Sequence, residues 1–479
     1  MYDEVYRPQF HFSPPQGWMN DPNGLIWYLG EYHLFYQHNP HDIHWDSMHW
    51  GHAVSTDLIH WENLPIAYTP EGPEDDYFTG SAILDDQNHS GFFDAGESGI
   101  VTIFTHRDAG VQQQSIGYSK DGRTFYRYPH CVLPNPGQED FRDPKVVWWE
   151  ERKRYLMALT VFDHVEFYTS KDLKKWTLMS KFGQFAGIHQ GVWECSDISE
   201  LPVRGTDEKR WVLIVGDQGA SKTQYFVGHF EGKQFVSDDA PETHLTLDSG
   251  VDCYAGQTYS NMPDDRCVFI SWLNSTHLFN CTPTSPWRSV YSVPRELWLE
   301  RTENGVRLFQ RPVQELNALR GEPVAFDHMQ VDSQQSLGHI PPQFDCEVVL
   351  DVSQNSAMQM GMKLCVGEKQ EIIVGYDTIR NVLYVNRSLS GNMSYASDIP
   401  PYLEARVMPL DGRVSLRILL DQSTLEIFTE SGDVVISALV FPDATQNEVV
   451  TFARKGVGTF ERIRIYPMRS IWKELGDRE

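Results

Sequence analysis

Ser55-Thr-Asp57-Leu-Ile-His-Trp61 returns as Ser119-Lys-Asp121-Gly-Arg-Thr-Phe125 and again as Ser170-Lys-Asp172-Leu-Lys-Lys-Trp176. Each copy reads as a strand end, a tight turn nucleated by Ser and Asp side chains, and an aromatic residue that re-enters a core. The three aspartates stand 64 and 51 residues apart, and Gly232-Lys-Gln-Phe235 is a weaker echo. One turn recurring at about 40–65 residues, with about four short strands per unit, is the pattern of β-propeller blades. About 300 residues at that period make about five blades. A run of similar hairpins in a sandwich is the alternative, but sandwiches rarely repeat one turn at this spacing.

Around these turns the chain is rich in short β-type runs and poor in helical periodicity. Leu25-Ile-Trp-Tyr28, Tyr32-His-Leu-Phe-Tyr36 and Lys145-Val-Val-Trp-Trp149 are apolar or aromatic, and Gly, Asn, Asp and Pro separate such runs. The fold class is therefore all-β. The pattern changes after Glu300. Gln310-Arg-Pro312-Val-Gln-Glu-Leu-Asn-Ala-Leu319 predicts a short helix with Pro312 in its first turn, where a missing N–H costs nothing. Beyond it Val414, Leu416, Ile418 and Leu420 alternate with Arg413, Ser415 and Arg417, and a Ser431-Gly432-Asp433 turn follows Leu425 and Ile427. That alternation predicts an antiparallel β-sandwich. The expected organisation is a five-bladed β-propeller over 1–300, a linker with a short helix over 301–324, and a C-terminal β-sandwich over 325–479 without a catalytic constellation.

Length and composition agree. A chain of 479 residues is too long for one ordinary core, and 41% hydrophobic with 22% charged residues is a globular composition. The net charge of −26 argues against nucleic acid or an anionic membrane as partner. No apolar run approaches the ~20 residues that span a bilayer. The opening MYDEVYRPQF lacks a signal pattern, so a cytoplasmic location is expected, with the mature form of a secreted enzyme as the alternative. Five Asn-x-Ser/Thr triplets, at Asn88, Asn274, Asn280, Asn386 and Asn392, bear only on a secreted form. Seven cysteines, odd in number and without CxxC spacing, predict neither a disulfide framework nor a zinc site.

Three acidic segments carry candidate chemistry. Gly17-Trp-Met-Asn20-Asp21-Pro-Asn-Gly24 concentrates turn formers around one carboxylate, and a turn at a blade's inner edge would aim Asp21 into the central funnel. Phe141-Arg142-Asp143-Pro144 precedes an apolar strand, with Arg142 placed to hold Asp143 ionised. Val192-Trp193-Glu194-Cys195 sets a carboxylate among apolar neighbours, which raises a carboxyl pKa and suits proton donation. Alone, each reads as a satisfied structural carboxylate. Together, at the starts of different blades, they converge on one axis, and glycoside cleavage needs such a set of acids. The stretch with His41, His44, His49 and His52 matches no zinc spacing and is interleaved with Trp45 and Trp50. It reads as a sugar-facing wall, and no metal or cofactor is expected.

Taken together these segments resemble family thirty-two of the glycoside hydrolases, the invertase, levanase and exo-inulinase family. The resemblance covers nearly the whole chain. Trp18-Met-Asn-Asp-Pro-Asn-Gly24 matches the family's sucrose box, followed by Tyr32-His-Leu-Phe-Tyr-Gln37. Phe78-Thr79-Gly80-Ser81 is similar to its Phe-Ser-Gly-Ser element, and Arg142-Asp143-Pro144 and Glu194-Cys195 match its other acidic motifs. Asp252-Cys-Tyr254-Ala, Trp287-Arg-Ser, Pro294-Arg-Glu296 and Leu416 to Phe428 also resemble family segments. The resemblance implies a retaining β-fructofuranosidase, with Asp21 as nucleophile, Glu194 as acid/base and Asp143 stabilising the transition state. It further implies a fructose pocket of Asn20, Gln37, Trp45, Ser81 and Arg142 with Phe78 as apolar wall, and Asp252 and Trp272 complete the expected binding set. The implied substrate is a neutral carbohydrate: sucrose, a fructo-oligosaccharide or a fructan.

Two positions depart from the family pattern. Ser196 stands where Pro usually follows Glu-Cys, and Cys253 replaces a common Phe. Both are expected to act at the pocket entrance and so on substrate preference. Trp50-Gly-His52 and the segment Phe182 to Gly191 look closer to levanases, exo-inulinases and invertases than to sucrose-6-phosphate hydrolases, and no basic cluster for a phosphate is evident. A fructosyltransferase on the same scaffold, a non-catalytic sugar-binding propeller and an inverting pentosidase are the alternatives. Homo-oligomer formation is left open.

Overall fold

The computed structural model describes residues 2–393 and 399–472; the ends of the expected domains at Met1 and 473–479, and Ser394 of the Asn392 triplet, lie outside the described residues. Five antiparallel sheets follow one another in the first 312 residues. Their inner strands are Gly17–Tyr28, Asp76–Asp85, Arg142–Trp149, Trp193–Pro202 and Tyr254–Thr258. These touch in ring order, which makes the five-bladed propeller. The ring closes between the fifth and first blades. Trp27 N–H donates to Ser260 O at 3.1 Å, and Trp287–Arg288 pairs in parallel with Gly17–Trp18.

The second strand of each blade is buried along nearly its whole length because both faces are covered, whereas outer strands such as Glu62–Tyr68 and Thr177–Phe182 are largely exposed. In Arg154–Val161, Tyr155, Met157, Leu159 and Val161 pack towards the second blade, with Ile83, Val101 and Ile116. Leu156 and Ala158 pack the other way, against Ile198, Leu213 and Val215 of the fourth.

The repeated Ser-x-Asp turn is one structure made three times. Ser55, Ser119 and Ser170 each donate to the following aspartate, at 3.0, 3.0 and 3.1 Å. Each aspartate Oδ1 accepts two backbone N–H groups: Ile59 and His60, Arg123 and Thr124, Lys174 and Lys175. The intervening residue is left-handed in every copy, with φ of 68° at Leu58, 66° at Gly122 and 59° at Leu173. The turn links the third strand to the outer strand in each of the first three blades.

The propeller extends beyond the expected boundary. Arg295–Thr302 and Gly305–Pro312 are the last two strands of the fifth blade, so residues 301–312 are not linker. The helix is a short 3₁₀ segment, Gln314–Leu319, with Leu316 and Leu319 buried, and Pro312 ends a strand instead of starting a helical turn.

Two six-stranded sheets then form the sandwich. Val414, Leu416, Ile418 and Leu420 point into its core as the alternation required. The opposite face of the same sheet is not solvated throughout: Leu419, Phe428 and Val435 pack on the propeller. A buried charge network crosses this contact. His11 bridges Asp421 and Glu426, each at 2.9 Å, and Arg295 binds both Glu426 and Asp248. The two carboxylates hold the His11 imidazolium, raising its pKa to about 9 despite burial.

Candidate active site

Each inner strand carries a β-bulge just inside its start. The unpaired residues are Asn20-Asp21, Phe78-Thr79, Asp143-Pro144, Cys195-Ser196 and Ala255-Gly256, each pair facing a single residue of the next strand. A bulge breaks the strict alternation of a strand and re-aims side chains at a barrel or sheet rim. Here it turns consecutive residues towards the funnel. Asp143, Cys195 and Ala255, at the same place in three blades, have φ of 64°, 53° and 53°. The sequence Asn20-Asp21-Pro22-Asn23-Gly24, expected to be a turn, is therefore a bulged strand, and Pro22 and Pro144 are tolerated because they stand at its irregularities. Gly80 follows the second bulge, where a Cβ would stand 2.1 Å from the carbonyl oxygen of Ile103.

The bulges bring three carboxylates into one connected cluster. Asp21 accepts from Thr79 Oγ1 at 2.5 Å and Cys195 Sγ at 3.2 Å on one oxygen, and from the Asn20 amide at 3.0 Å on the other. Asp143 accepts the Cys195 N–H at 2.8 Å. Arg142 donates to Glu194 at 2.9 Å, pairs with Asp140 and lies 3.9 Å from Asp143, while Tyr254 O–H donates to the second oxygen of Glu194 at 2.8 Å.

The electrostatics reverse two expectations. Arg142 does not keep Asp143 ionised: burial, with the charges of Asp21 and Glu194, outweighs the guanidinium and pushes its carboxyl up to about 7. Glu194 sits between a cation and a phenol, not among apolar groups. Asp21 is also raised, first by burial and then by Glu194, against the pull of Thr79, Cys195 and Asn20. Burial and the neighbouring carboxylates drive the Cys195 thiol well above its usual range, so it stays a donor.

The cluster opens into a cavity of about 570 Å³ with aromatic walls. Trp18, Trp45, Phe78, Trp272 and Phe279 line it; Trp18 meets Trp272 edge-on at 6.0 Å, and Trp45 lies 6.1 Å from Phe78. Beneath the floor Lys145 binds Asp197 at 2.6 Å and Thr258 O at 2.6 Å, tying three inner strands. Ser260 Oγ reaches Ala82 O at 2.8 Å, joining the fifth and second blades.

Of the expected residues, Asn20, Asp21, Gln37, Trp45, Phe78, Arg142, Asp143, Glu194 and Trp272 all line the cavity. Ser81 and Asp252 do not. Ser81 is buried one turn of the pleat too deep, donating to Pro144 O and accepting from Val146 N. Asp252 is buried at the domain contact, where it pairs with Arg387 and accepts the Leu439 N–H. Ser196 and Cys253 also stand away from the entrance. Ser196 Oγ bonds Asp143 O and Ala158 O, and Cys253 is packed with Phe441 and Leu439 of the sandwich.

Of the His-rich stretch only Trp45 lines the cavity; His52 is stacked on Phe35 at 4.1 Å in the blade core. Among the described residues no three potential ligands are gathered for a metal. Sequence reading missed Thr79, Cys195 and Tyr254 as members of the site. The signal is positional, since Thr79 and Cys195 stand in the bulge of an inner strand and Tyr254 directly before one.

A propeller funnel with three carboxylates on its floor and aromatic walls defines a class of enzyme, the glycoside hydrolases. Residues 11–312 match the glycosyl hydrolases family 32 N-terminal domain and residues 315–467 the glycosyl hydrolases family 32 C terminal, and the chain belongs to that family. It is 42% identical to a levanase of Bacillus subtilis over 98% of this chain and 72% of that protein. Identity with an extracellular exo-inulinase of Aspergillus awamori is 32%, over 98% of this chain and 96% of the relative. The crystal structure of exo-inulinase from Aspergillus awamori superposes with a TM-score of 0.92 at 30% identity, covering 98% of this chain and all (100%) of that one.

Proposed function

We propose that this enzyme is a retaining, exo-acting β-fructofuranosidase that hydrolyses terminal non-reducing β-D-fructofuranosyl residues of sucrose, fructo-oligosaccharides and fructans. The observation that carries the reading is the linkage of the three carboxylates. Cys195 joins Asp21 to Asp143, and Arg142 reaches both Asp143 and Glu194. Attack and proton donation can then act on one bond. The closed floor supports exo action, because a chain end enters such a funnel and a chain middle does not. The relatives named levanase, exo-inulinase and invertase support a fructosyl substrate.

In this mechanism Glu194 protonates the glycosidic oxygen while Asp21 attacks C2, breaking the C2–O bond and forming a fructosyl ester. Glu194 then takes a proton from water, whose oxygen attacks C2, releasing fructose and the Asp21 carboxylate. Retention calls for the two carboxyl groups at about 5–5.5 Å. Burial and the neighbouring carboxylate charges raise both Asp21 and Asp143, so a proton is retained among these buried acids near neutrality. Asp143, held near neutrality by its burial, is the group that meets the fructose hydroxyls.

The test is hydrolysis of sucrose, inulin and levan by the wild type, Asp21→Asn and Glu194→Gln, with the anomer first released read by NMR. The β-anomer, with turnover lost by several orders of magnitude in both variants, is the expected result. The α-anomer excludes retention, kestoses accumulating from sucrose assign transfer instead, and no release from any of the three removes the fructosidase reading.

A further inference from the structure

The third copy of the repeated turn carries three lysines, at positions 171, 174 and 175, where the second has Lys120, Arg123 and Thr124 and the first has none. The fold separates them. Lys174 turns away to bind Ser90 O and lie over the Phe92 ring at 4.1 Å. Lys171 and Lys175 instead line an open groove of about 370 Å³ together with Arg152, Arg154 and Lys233. The sequence hides this cluster because its members come from three hairpins of two blades. Among the described residues none of the five forms an ion pair. Asp172 is the one carboxylate in the lining; its Oδ1 is occupied by Ser170 and two backbone N–H groups, and its charge offsets part of that of Lys175. Arg152 is fixed in place, its guanidinium 4.1 Å over the Trp149 ring and bonded to Gly232 O.

The position of the groove matters as much as its charge. Inner strands begin at the funnel, so the turn after each inner strand and the turn after each third strand lie on the opposite face. Arg152 and Arg154 belong to the first kind of turn, and Lys171, Lys175 and Lys233 to the second. A ligand there leaves the funnel mouth free. We propose that this groove docks a polyanion, a chain bearing repeated phosphate or sulfate groups, and so tethers the enzyme by the face opposite its active site. Five cations exceed what one phosphate of about −1.5 to −2 charge needs, and they spread over two blades. The overall charge of −26 does not forbid it. At physiological salt, charges beyond about 8 Å are largely screened, so an approaching chain feels the local patch.

The experiment measures binding of the full chain to long-chain polyphosphate and to dextran sulfate, with neutral dextran and inorganic phosphate as comparisons. Lys171→Glu/Lys175→Glu/Lys233→Glu is the test variant, checked by its unfolding midpoint, and Arg154→Gln is a milder second. The wild type is expected to bind both polyanions and not dextran, with affinity falling about tenfold or more between about 50 and 200 mM NaCl. The triple variant is expected to lose at least about 100-fold, Arg154→Gln several-fold, both with sucrose hydrolysis unchanged. No binding by the wild type, equal binding by both variants, or inorganic phosphate binding as tightly per phosphate as the polymer would each overturn the proposal.

Discussion

Replacing His11 by Gln tests how the two domains are joined. His11 is wholly buried between Asp421 and Glu426, which raise its pKa from 6.5 to about 9. A histidine whose folded pKa lies above its unfolded one contributes stability that is complete below the unfolded value and lost as pH rises through the folded one. The difference of about 2.5 units, at about 1.4 kcal/mol per unit, makes that contribution about 3 kcal/mol. Urea unfolding of both proteins at pH 6, 7.5 and 9.5 reads it as the gap in unfolding free energy. Asp143, pushed up to about 7, also titrates across part of this range, but it is present in both proteins and cancels in the gap. Glu426 is held below the usual range and titrates on the acid side. The wild type is expected to be the more stable at pH 6, with the gap narrowing by about 3 kcal/mol by pH 9.5. A gap that stays constant with pH, or widens, would refute an imidazolium at this joint.

Three further outcomes follow from the same geometry. Thr79→Val removes a donor to the Asp21 carboxylate, worth about 1.5–3 kcal/mol, so kcat/KM on sucrose should fall about 10–100-fold while Thr79→Ser keeps most activity; equal activity of the Val variant sinks the role. Asp252→Asn leaves Arg387 buried without its countercharge and should cost about 3–5 kcal/mol in unfolding free energy with KM for sucrose unchanged; a changed KM at full stability would return Asp252 to the sugar site. Gly80→Ala drives a Cβ to 2.1 Å from Ile103 O and should destabilise by about 1–3 kcal/mol or more, measured by thermal unfolding, since the obstacle is backbone that cannot turn aside.

The architecture was legible because its signals are local. The Ser-x-Asp turn repeats in the letters of the sequence, and the sandwich strands alternate with period two. What the letters do not show is which residues come next to one another across blades. Arg142 was read with its chain neighbour Asp143, yet its hydrogen bonds go to Asp140 and to Glu194 of the next blade. The resemblance implies Ser81 as a pocket residue, whereas Thr79 is the one that lines it, because a bulge, which shifts the facing of a strand by one residue, has no signature in Phe78-Thr-Gly-Ser81. Asp252 is expected in the sugar-binding set because it stands in the family-like segment Asp252-Cys-Tyr254-Ala, but its partner Arg387 lies 135 residues away on the sandwich. The end of the propeller was placed too early since strands 295–312 read like a new pattern, although they complete the fifth blade.

The five bulges explain why so many charged groups meet in so small a space. A regular strand sends alternate side chains to its two neighbouring blades, so it offers the axis little. An irregularity at the same point of every inner strand gives each blade one place from which to reach the funnel. The acids occupy three of these places, at different positions of the bulge: Asp21 second, Asp143 first and Glu194 just before it. Their repulsion then has to be offset from the remaining blades. The second blade supplies Thr79 to Asp21 and the fifth supplies Tyr254 to Glu194, both neutral donors. With one guanidinium, itself shared with Asp140, for three carboxylates, the cluster is tied together by hydrogen bonds yet undercompensated in charge. A site so arranged keeps its geometry while holding a proton near neutral pH, which is the condition that acid-assisted cleavage of a glycosidic bond requires.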